Sequence, residues 1–479
     1  MRLYRKEGDV IQIISFPEEP VNKGGYLLVE DQRTSKALIV QVVDIQFANV
    51  PGILEDLLRD TIAKDPLNGE DYDPFQVSSQ INLLKDTRLL ICKIRGTIEE
   101  GRPTSSVSWL PSRVTSRIAP FPIEAIVNSK NRRPIEIGKT ASNASLLLNA
   151  EALDGALNII TGKKGTGKSH LSKLLVLCLV DLNAPCLILD VNGEYVNLSR
   201  SKGTGSNRYK EKITVLTPSV DMKFTLHQVG LRAFLGMLMY ALELPSTSAR
   251  VFLQIWHELE KNGKLSLSSL GEAIQKWNCH ESVRDAIVSR HQTIVDSGIF
   301  TDSTVEGLDM GDFVARLRVG KAVVVNLKNK SSMVRRMIVE LLISKLTELL
   351  SSWKLKAIFL FAEEAHLYLR ETYWDDIVTR MRHLGVFTTF ITNQPDTIKD
   401  SIYRQADNVF LFNFSNERDL EAVSKAAKID SESIRLIAKD LPPHHCLAIG
   451  EIVRNFPLVV NVRPLDVETM GETRLFFKG

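Results

Sequence analysis

Long apolar runs are missing from this 479-residue chain. Its longest, such as residues 174–180 and 357–361, fall well short of the ~20 residues that a membrane helix needs, which leaves no membrane reading. The opening residues MRLYRKEGDV are charged and hold no apolar signal core, so a cytoplasmic protein is expected. Cysteine is scarce: Cys92, Cys178, Cys186, Cys279 and Cys446 include no CxxC pair and are odd in number. That excludes a disulfide framework and weakens any zinc reading. Charge of one sign is absent as well, with 60 basic against 57 acidic residues, so any contact with nucleic acid must come from local clusters or from charge concentrated in a pore. The histidines are scattered, and the adjacent pair His444 and His445 lies in a Pro-rich turn, so none is assigned to metal. There is no internal repeat or low-complexity tract.

What is present is enough for two or three folded domains. Hydrophobic residues make up 44% and charged residues 24%, a globular composition on a chain too long for one ordinary core. Residues 1–101 alternate β-rich runs (VIQIISF, GGYLLVE, ALIVQVVDIQF, LLICKIRGTI) with turn residues such as Gly24 and Gly25, which predicts a small β-barrel. Residues 53–63 and the acidic stretch around 71–73 read as an inserted helix and loop. Residues 102–135 carry several prolines and serines and read as a linker. From 136 to 463 the pattern becomes strand, then helix, repeatedly, with strands such as CLILD, KAVVVNL, KAIFLFAE and VFTTFIT apolar throughout. A parallel sheet covered on both faces follows. Residues from about 226 to 310 interrupt it with helical periodicity, a helical insertion, and 464–479 form a C-terminal tail.

The chemistry sits at the ends of those strands. TGKKGTGKSH, residues 161–170, holds the full phosphate-loop pattern GxxxxGK[ST]. Its glycines allow backbone N–H groups to turn inward as an anion nest, and the following helix offers its positive N-terminus. Lys168 reaches the β and γ phosphates and Ser169 ligates magnesium. By composition the pattern arises by chance in roughly a few per cent of chains of this length, and the apolar strand before it and amphipathic helix after it make chance less apt still. Gly162, Lys163, Lys164, Gly165, Thr166, Gly167, Lys168, Ser169 and His170 are thus the candidate nucleotide-binding set.

A nucleotide site needs further acids, one on the metal side and one to orient or deprotonate the attacking water. FLFAEEAH runs from an apolar strand into Glu363 and Glu364, which suits Glu363 to the metal side and Glu364 to the water; a solvated helix start is the plainer alternative. VFTTFITNQPD ends a further strand in amides, where Gln394 or Asn393 would sense the γ-phosphate unless the segment is a simple turn before Pro395. IVTRMRHLG offers Arg380, Arg382 and His383, and an arginine there would serve as a finger on a neighbouring subunit's nucleotide unless it is an ordinary surface cation. LDVNGEY puts Asp190 at a strand end with Glu194 close behind, or else is only a tight Asn-Gly turn. The basic stretches RSKGTGSNRYKEK (200–212) and LKNKSSMVRRM (327–337) suit a phosphate backbone as well as they suit solvated loops.

In order and spacing these residues resemble the HerA family of the FtsK/HerA ring ATPases, over nearly the whole chain: the N-terminal barrel, RPIEIGKTASNASLLLNAEAL, the phosphate loop, DVNGEY, the helical insertion, EEAH, RMRHLG and TNQ. The resemblance implies a RecA-like P-loop ATPase core with a helical insertion behind a small β-barrel, ATP and Mg2+ as cofactors, and a homo-hexamer around duplex DNA. It further implies Lys168 and Ser169 as nucleotide and magnesium ligands, Glu363 and Glu364 as the acidic pair, Gln394 as sensor and Arg382 as finger. Glu363 stands where many members have Asp, and Met381 and His383 replace the Gly and Lys that often flank the matching arginine. The implied activity is an ATP-driven DNA translocase working with a nuclease of the NurA type in DNA-end processing, or with a SIR2-like or other effector in antiviral defence. A ring that only assembles and gates such a partner, with ATP as a switch, is the alternative.

Overall fold

The computed structural model describes residues 1–34, 36–48, 86–99, 102–104, 109–129, 131–200, 207–308, 310–368, 377–414, 416–424 and 430–470. The helix and loop expected at 53–63 and 71–73 lie outside them. The chain divides into two compact units, one formed by Met1–Leu148 with Asn413–Ser424 and the segment up to Val462, the other by Asn149–Phe412 with the segment from Arg463 onward.

The first unit starts with β1 (Arg2–Glu7), β2 (Val10–Ser15), β3 (Tyr26–Asp31), β4 (Lys36–Phe47), β5 (Arg88–Glu99), β6 (Arg102–Thr104) and β7 (Ser116–Pro120), a seven-stranded sheet in the order β1-β2-β5-β4-β3-β7 with β6 beside β5. All its ladders are antiparallel. Two register shifts along β4, between Ile39 and Val40 and between Val42 and Asp44, are bulges of the kind that raise local twist and curl a sheet. The curl encloses Leu3, Ile11, Ile13, Leu27, Val29, Leu38, Val40, Val42, Leu90 and Cys92. Among the described residues the two end strands, β1 and β7, approach each other without forming a ladder, so the expected barrel is met in part, by a strongly curled sheet. Residues 102–135, expected as a linker, supply β6, β7 and the helix Ile123–Asn128.

Four more strands belong wholly or mainly to this unit: β8 (Pro134–Thr140) and β9 (Ser145–Asn149) early in the chain, β17 (His445–Gly450) and β18 (Leu458–Val462) late, in the order β17-β18-β8-β9. The core was expected to run from 136 to 463, yet residues 413–424 and those up to Val462 cluster with the N-terminal sheet. The reason is a set of polar locks distant in sequence. Arg95 reaches Asp430 at 3.2 Å and Ser433 at 2.9 Å, while Tyr26 Oη and Gln41 Nε2 both donate to the Pro457 carbonyl at 2.8 Å.

The second unit contains β10 (Asn158–Thr161), β11 (Cys186–Asp190), β12 (Ile213–Leu216), β13 (Ala322–Asn326), β14 (Ile358–Glu363), β15 (Val386–Thr392) and β16 (Asn408–Leu411), ordered β12-β13-β11-β14-β15-β10-β16. Each adjacent pair runs parallel. β10, β11, β14 and β15 are buried at every position, as sequences apolar throughout require when helices cover both faces. The helix Lys168–Asp181 leads from β10 to β11, with β14 and β15 lying between those two strands. That order brings the carboxyl ends of β14 and β15 beside the turn that leaves β10, the crevice where open α/β sheets bind ligands. Between β12 and β13 the chain forms the helices Leu226–Gly236, Ser246–Lys261, Leu267–Lys276 and Glu281–Ser297, and the ring of Phe234 on the first of them lies 5.3 Å from both Trp256 and Phe300. Among the described residues no helix is long and apolar enough to cross a membrane. None of the five cysteines forms a disulfide, and four of them are buried.

Candidate active site

The phosphate loop folds as its glycines dictate. Gly162 (φ 155°) passes so close to β16 that a Cβ would lie 2.5 Å from Phe412 Cβ, and Gly167 (φ 118°) enters the helix through the left-handed region, both positions that disfavour any side chain. The Lys163 carbonyl is the internal anchor, accepting Thr166 Oγ1 at 2.7 Å and Lys168 Nζ at 2.9 Å. Lys168 is only 7% exposed. Burial lowers its pKa from 10.5 to about 8, against the pull of Glu364, Glu194 and Glu363. An ammonium held in that state gains most from an anion placed against it.

Glu363, the last residue of β14, is 2% exposed. Its Oε1 accepts Ser169 Oγ at 3.3 Å and its Oε2 accepts Asn192 Nδ2 at 3.4 Å. Burial pushes this carboxyl well above the usual range, reinforced by Asp190 and Glu194 and opposed by Lys173. Acids crowded beside a serine hydroxyl at a phosphate loop are the donor set a hard divalent cation takes, so the residues fit magnesium on Ser169 with Glu363 behind it. Among the described residues no group of three or more His, Cys, Asp or Glu side chains is placed to hold a metal without other ligands.

Glu364 leaves the strand in a left-handed conformation (φ 46°, ψ 47°), a geometry that costs a non-glycine residue ~1 kcal/mol or more and is concentrated at functional sites. The turn is fixed by its N–H on the Ile391 carbonyl at 2.7 Å. Its carboxylate then faces the end of β15, with Thr392 Oγ1 at 3.4 Å and the Asn393 N–H at 3.5 Å, and His366 Nδ1 lies 3.6 Å away. Gln394 is exposed, its N–H on Thr392 Oγ1 at 3.0 Å. Since Thr161 pairs Thr392 and Glu363 pairs Ile391 in the ladders, Lys168, Ser169, Glu363, Glu364 and Gln394 all gather at one sheet edge. A solvated helix start does not describe Glu363, which is in the strand and buried.

Asp190 engages both carboxylate oxygens within its own turn. Its Oδ1 accepts the N–H groups of Gly193 and Glu194 at 2.7 and 3.0 Å and its Oδ2 that of Tyr195 at 2.9 Å. It therefore builds the Asn-Gly turn that carries Asn192 to Glu363. Glu194 pairs with buried Lys173 at 3.2 Å, and Tyr195 Oη donates to Ser172 at 2.8 Å. Asn192, Lys173 and Phe412 are the participants the sequence reading missed. Only Asn192 carried a signal, its place in the turn after Asp190; the other two look like ordinary helix and strand residues.

Arg382 lies elsewhere. Its guanidinium pairs with Asp407 at 3.0 Å, and Asp407 also accepts the Leu157 N–H at 2.8 Å. These residues precede β15, β16 and β10, so the pair sits at the amino edge of the sheet, about 20 Å from the phosphate loop at ~3.3 Å per residue along β15. Arg380 is exposed. In the basic stretches, Tyr209 is buried and donates to Asp181 at 2.9 Å, Arg208 pairs with the same carboxylate at 2.6 Å, and residues 201–206 lie outside the described ones. Lys330 reaches Ser219 at 3.4 Å and Arg335 the Leu327 carbonyl at 3.3 Å. Lys328 packs along Gly193.

Comparison with known proteins agrees with this arrangement. Residues 135–356 match the family model described as the central domain of helicase HerA. The chain is 22% identical to the DNA double-strand break repair helicase HerA of Sulfolobus acidocaldarius over 95% of its own length and 91% of that protein's. Among solved structures it resembles VirB4 of Thermoanaerobacter pseudethanolicus, with a TM-score of 0.54 at 14% identity over 70% of this chain and 98% of that one. It also resembles the bacterial conjugative coupling protein TrwB, with a TM-score of 0.52 at 13% identity over 72% of this chain and 92% of that one. Taken with the phosphate loop and the acids at the end of β14, these matches show a chain similar to the central domain of helicase HerA over residues 135–356 and to HerA of Sulfolobus acidocaldarius over most of its length.

Proposed function

We propose that the chain is an ATP-hydrolysing motor that moves duplex DNA, with Glu364 as the residue that orients and deprotonates the attacking water. The observation that carries this is the gathering of Lys168, Ser169, Glu363 and Glu364 at one edge of a parallel sheet, with Glu364 turned out of its strand toward Thr392 and Asn393. Lys168, held on the Lys163 carbonyl, exchanges that partner for the phosphates, while Gly162–Ser169 wraps them in backbone N–H groups. Magnesium, when bound, neutralises charge on the phosphates. Glu363 keeps its carboxylate on Ser169, and Asn192 holds the other oxygen of that carboxylate in place. Gln394 reads the γ-phosphate from the end of β15.

The relative of known activity is a DNA double-strand break repair helicase, which supports DNA as the substrate of motion. A homo-hexameric ring around duplex DNA, partnered by a NurA-type nuclease in end processing or by a SIR2-like effector in defence, is the biological setting we propose. The decisive experiment measures ATP hydrolysis with and without duplex DNA, together with DNA binding at low salt. Stimulation by DNA, abolished in Glu364→Gln with ATP binding retained, is expected. An unchanged rate and no DNA binding would refute the motor.

One observation favours a second reading. Arg382 is tied to Asp407 within its own chain, and a ring lacking a working finger would act chiefly as an ATP-gated scaffold for its effector. Glu364→Gln separates the two, since a scaffold would keep its partner's activity and a motor would stall.

A further inference from the structure

One buried donor beside Glu364 is unmet. His366 lies on the short 3₁₀ turn Ala365–Leu367, which is closed by the Leu367 N–H on the Glu364 carbonyl at 2.9 Å and by the Tyr368 N–H on the Ala365 carbonyl at 3.2 Å. The turn folds the imidazole back toward the side chain of Glu364. Its Nδ1 is buried and has no hydrogen-bond partner among the described residues, a condition rare enough in a folded chain to need a cause. Glu364 Oε2 lies 3.6 Å from it, beyond hydrogen-bond reach by only about 0.4 Å.

The other contacts to this carboxylate fall on the same oxygen. Thr392 Oγ1 and the Asn393 N–H approach Oε2 at 3.4 and 3.5 Å, while Oε1 has no hydrogen-bond partner among the described residues. All three distances are long, the loose state from which catalytic hydrogen bonds tighten once substrate is in place. A carboxylate gripped by one oxygen presents the other in a fixed direction, which is what orienting a water requires. A lone pair on Nδ1 would face the charge on Oε2, so the proton belongs on Nδ1, in the neutral and the protonated imidazole alike. We propose that His366 is a positioning residue for hydrolysis: its Nδ1–H closes on Glu364 Oε2 when nucleotide binds and holds Oε1 toward the attacking water. This rests on the reading of Glu364 as the group that activates that water.

The test compares His366→Asn with His366→Leu in the full-length chain, with Mg-ATP and duplex DNA present. The two side chains match in size and branching, but Asn sets an amide N–H near the place of Nδ1 and Leu sets a methyl there. We expect kcat to fall about tenfold or more in His366→Leu and to recover most of that in His366→Asn, with the Kd for Mg-ATP within about twofold of wild type in both. Added to Glu364→Gln, His366→Leu should cost nothing further, because a positioning residue acts only through its target. Wild-type kcat in His366→Leu, an equal loss in the two variants, or a loss confined to Kd would overturn the proposal. Should His366→Leu not fold, His366→Phe, which keeps the ring and lacks the donor, takes its place in the same comparison. The two readings fail separately: wild-type turnover in Glu364→Gln removes the water-activating role and the proposal with it, whereas a dead Glu364→Gln beside a fully active His366→Leu refutes the role of His366 alone.

Discussion

Replacing Lys168 by Met should make the nucleotide-free protein more stable while destroying nucleotide binding. Burial lowers the pKa of the lysine from 10.5 to about 8, and at 1.36 kcal/mol per pH unit the charged ammonium costs the folded state about 3 kcal/mol at pH 7. Methionine matches the length and apolar stem without the charge. It forfeits the bond from Nζ to the Lys163 carbonyl, worth ~1 kcal/mol, so a net gain of about 2 kcal/mol is expected, a Tm rise of roughly 2 °C for a chain of this length. The pH dependence fixes the sign. Below pH 8 both folded and unfolded wild-type chains keep the proton and the penalty is complete. Between about 8 and 10.5 the unfolded chain holds it while the folded chain has lost it, so wild-type stability climbs and the gap to K168M closes. Scanning calorimetry of both proteins from pH 7 to 10, with and without Mg-ATP, measures this. Wild type should gain about 2.7 kcal/mol at a nucleotide concentration of 100 Kd, and K168M should gain nothing. A K168M protein that melts below wild type at pH 7 without nucleotide, or a gap that ignores pH, would refute the reasoning.

Three further outcomes can be checked directly. Gly162→Ala forces a Cβ to 2.5 Å from Phe412 Cβ and 3.1 Å from its Cα, so chemical denaturation should show a loss of ~2 kcal/mol or more with weakened ATP binding; an unperturbed variant would mean the loop does not pack on β16. Asp190→Ala removes the acceptor of three backbone N–H groups at ~1 kcal/mol or more each, and ATP turnover should fall with stability because Asn192 loses its perch; normal turnover in the folded variant would detach the turn from the site. Arg382 is engaged by Asp407 and Arg380 is exposed, so Arg380→Ala should cost more of the ATPase rate than Arg382→Ala, up to ~10³-fold for a true finger. The reverse order would return the finger to Arg382.

The phosphate loop, the parallel core and the acids at the end of β14 were legible from sequence because each is local. A GxxxxGKS turn between an apolar strand and a helix has one common use, and strands apolar at every position have one common environment. Glu363 and Glu364 were readable as a pair, with Glu363 expected on the metal side and Glu364 on the water, but the left-handed turn at Glu364 that points the two carboxylates apart is something no residue type announces. The roles of Asp190 and Arg382 were the opposite case. Asp190 was legible as a strand end beside an Asn-Gly turn, but not as the acceptor of three N–H groups of that turn; Arg382, expected as a finger or an ordinary surface cation, pairs with Asp407 within its own chain, a contact that no local pattern announces.

What the sequence by itself determined is the chemistry available: a phosphate cradle, a lysine, a serine and two acids at fixed offsets from strand ends. What only the tertiary structure decided is who meets whom. β14 and β15 lie between β10 and β11, so residues some 200 positions after the phosphate loop become its neighbours. Residues near 430 and 457 lock onto Arg95, Tyr26 and Gln41, which gives the N-terminal unit a segment that sequence pattern assigned to the core. Hydrogen bonds between residues hundreds of positions apart leave no periodicity in the chain, and only folding brings their donors and acceptors together.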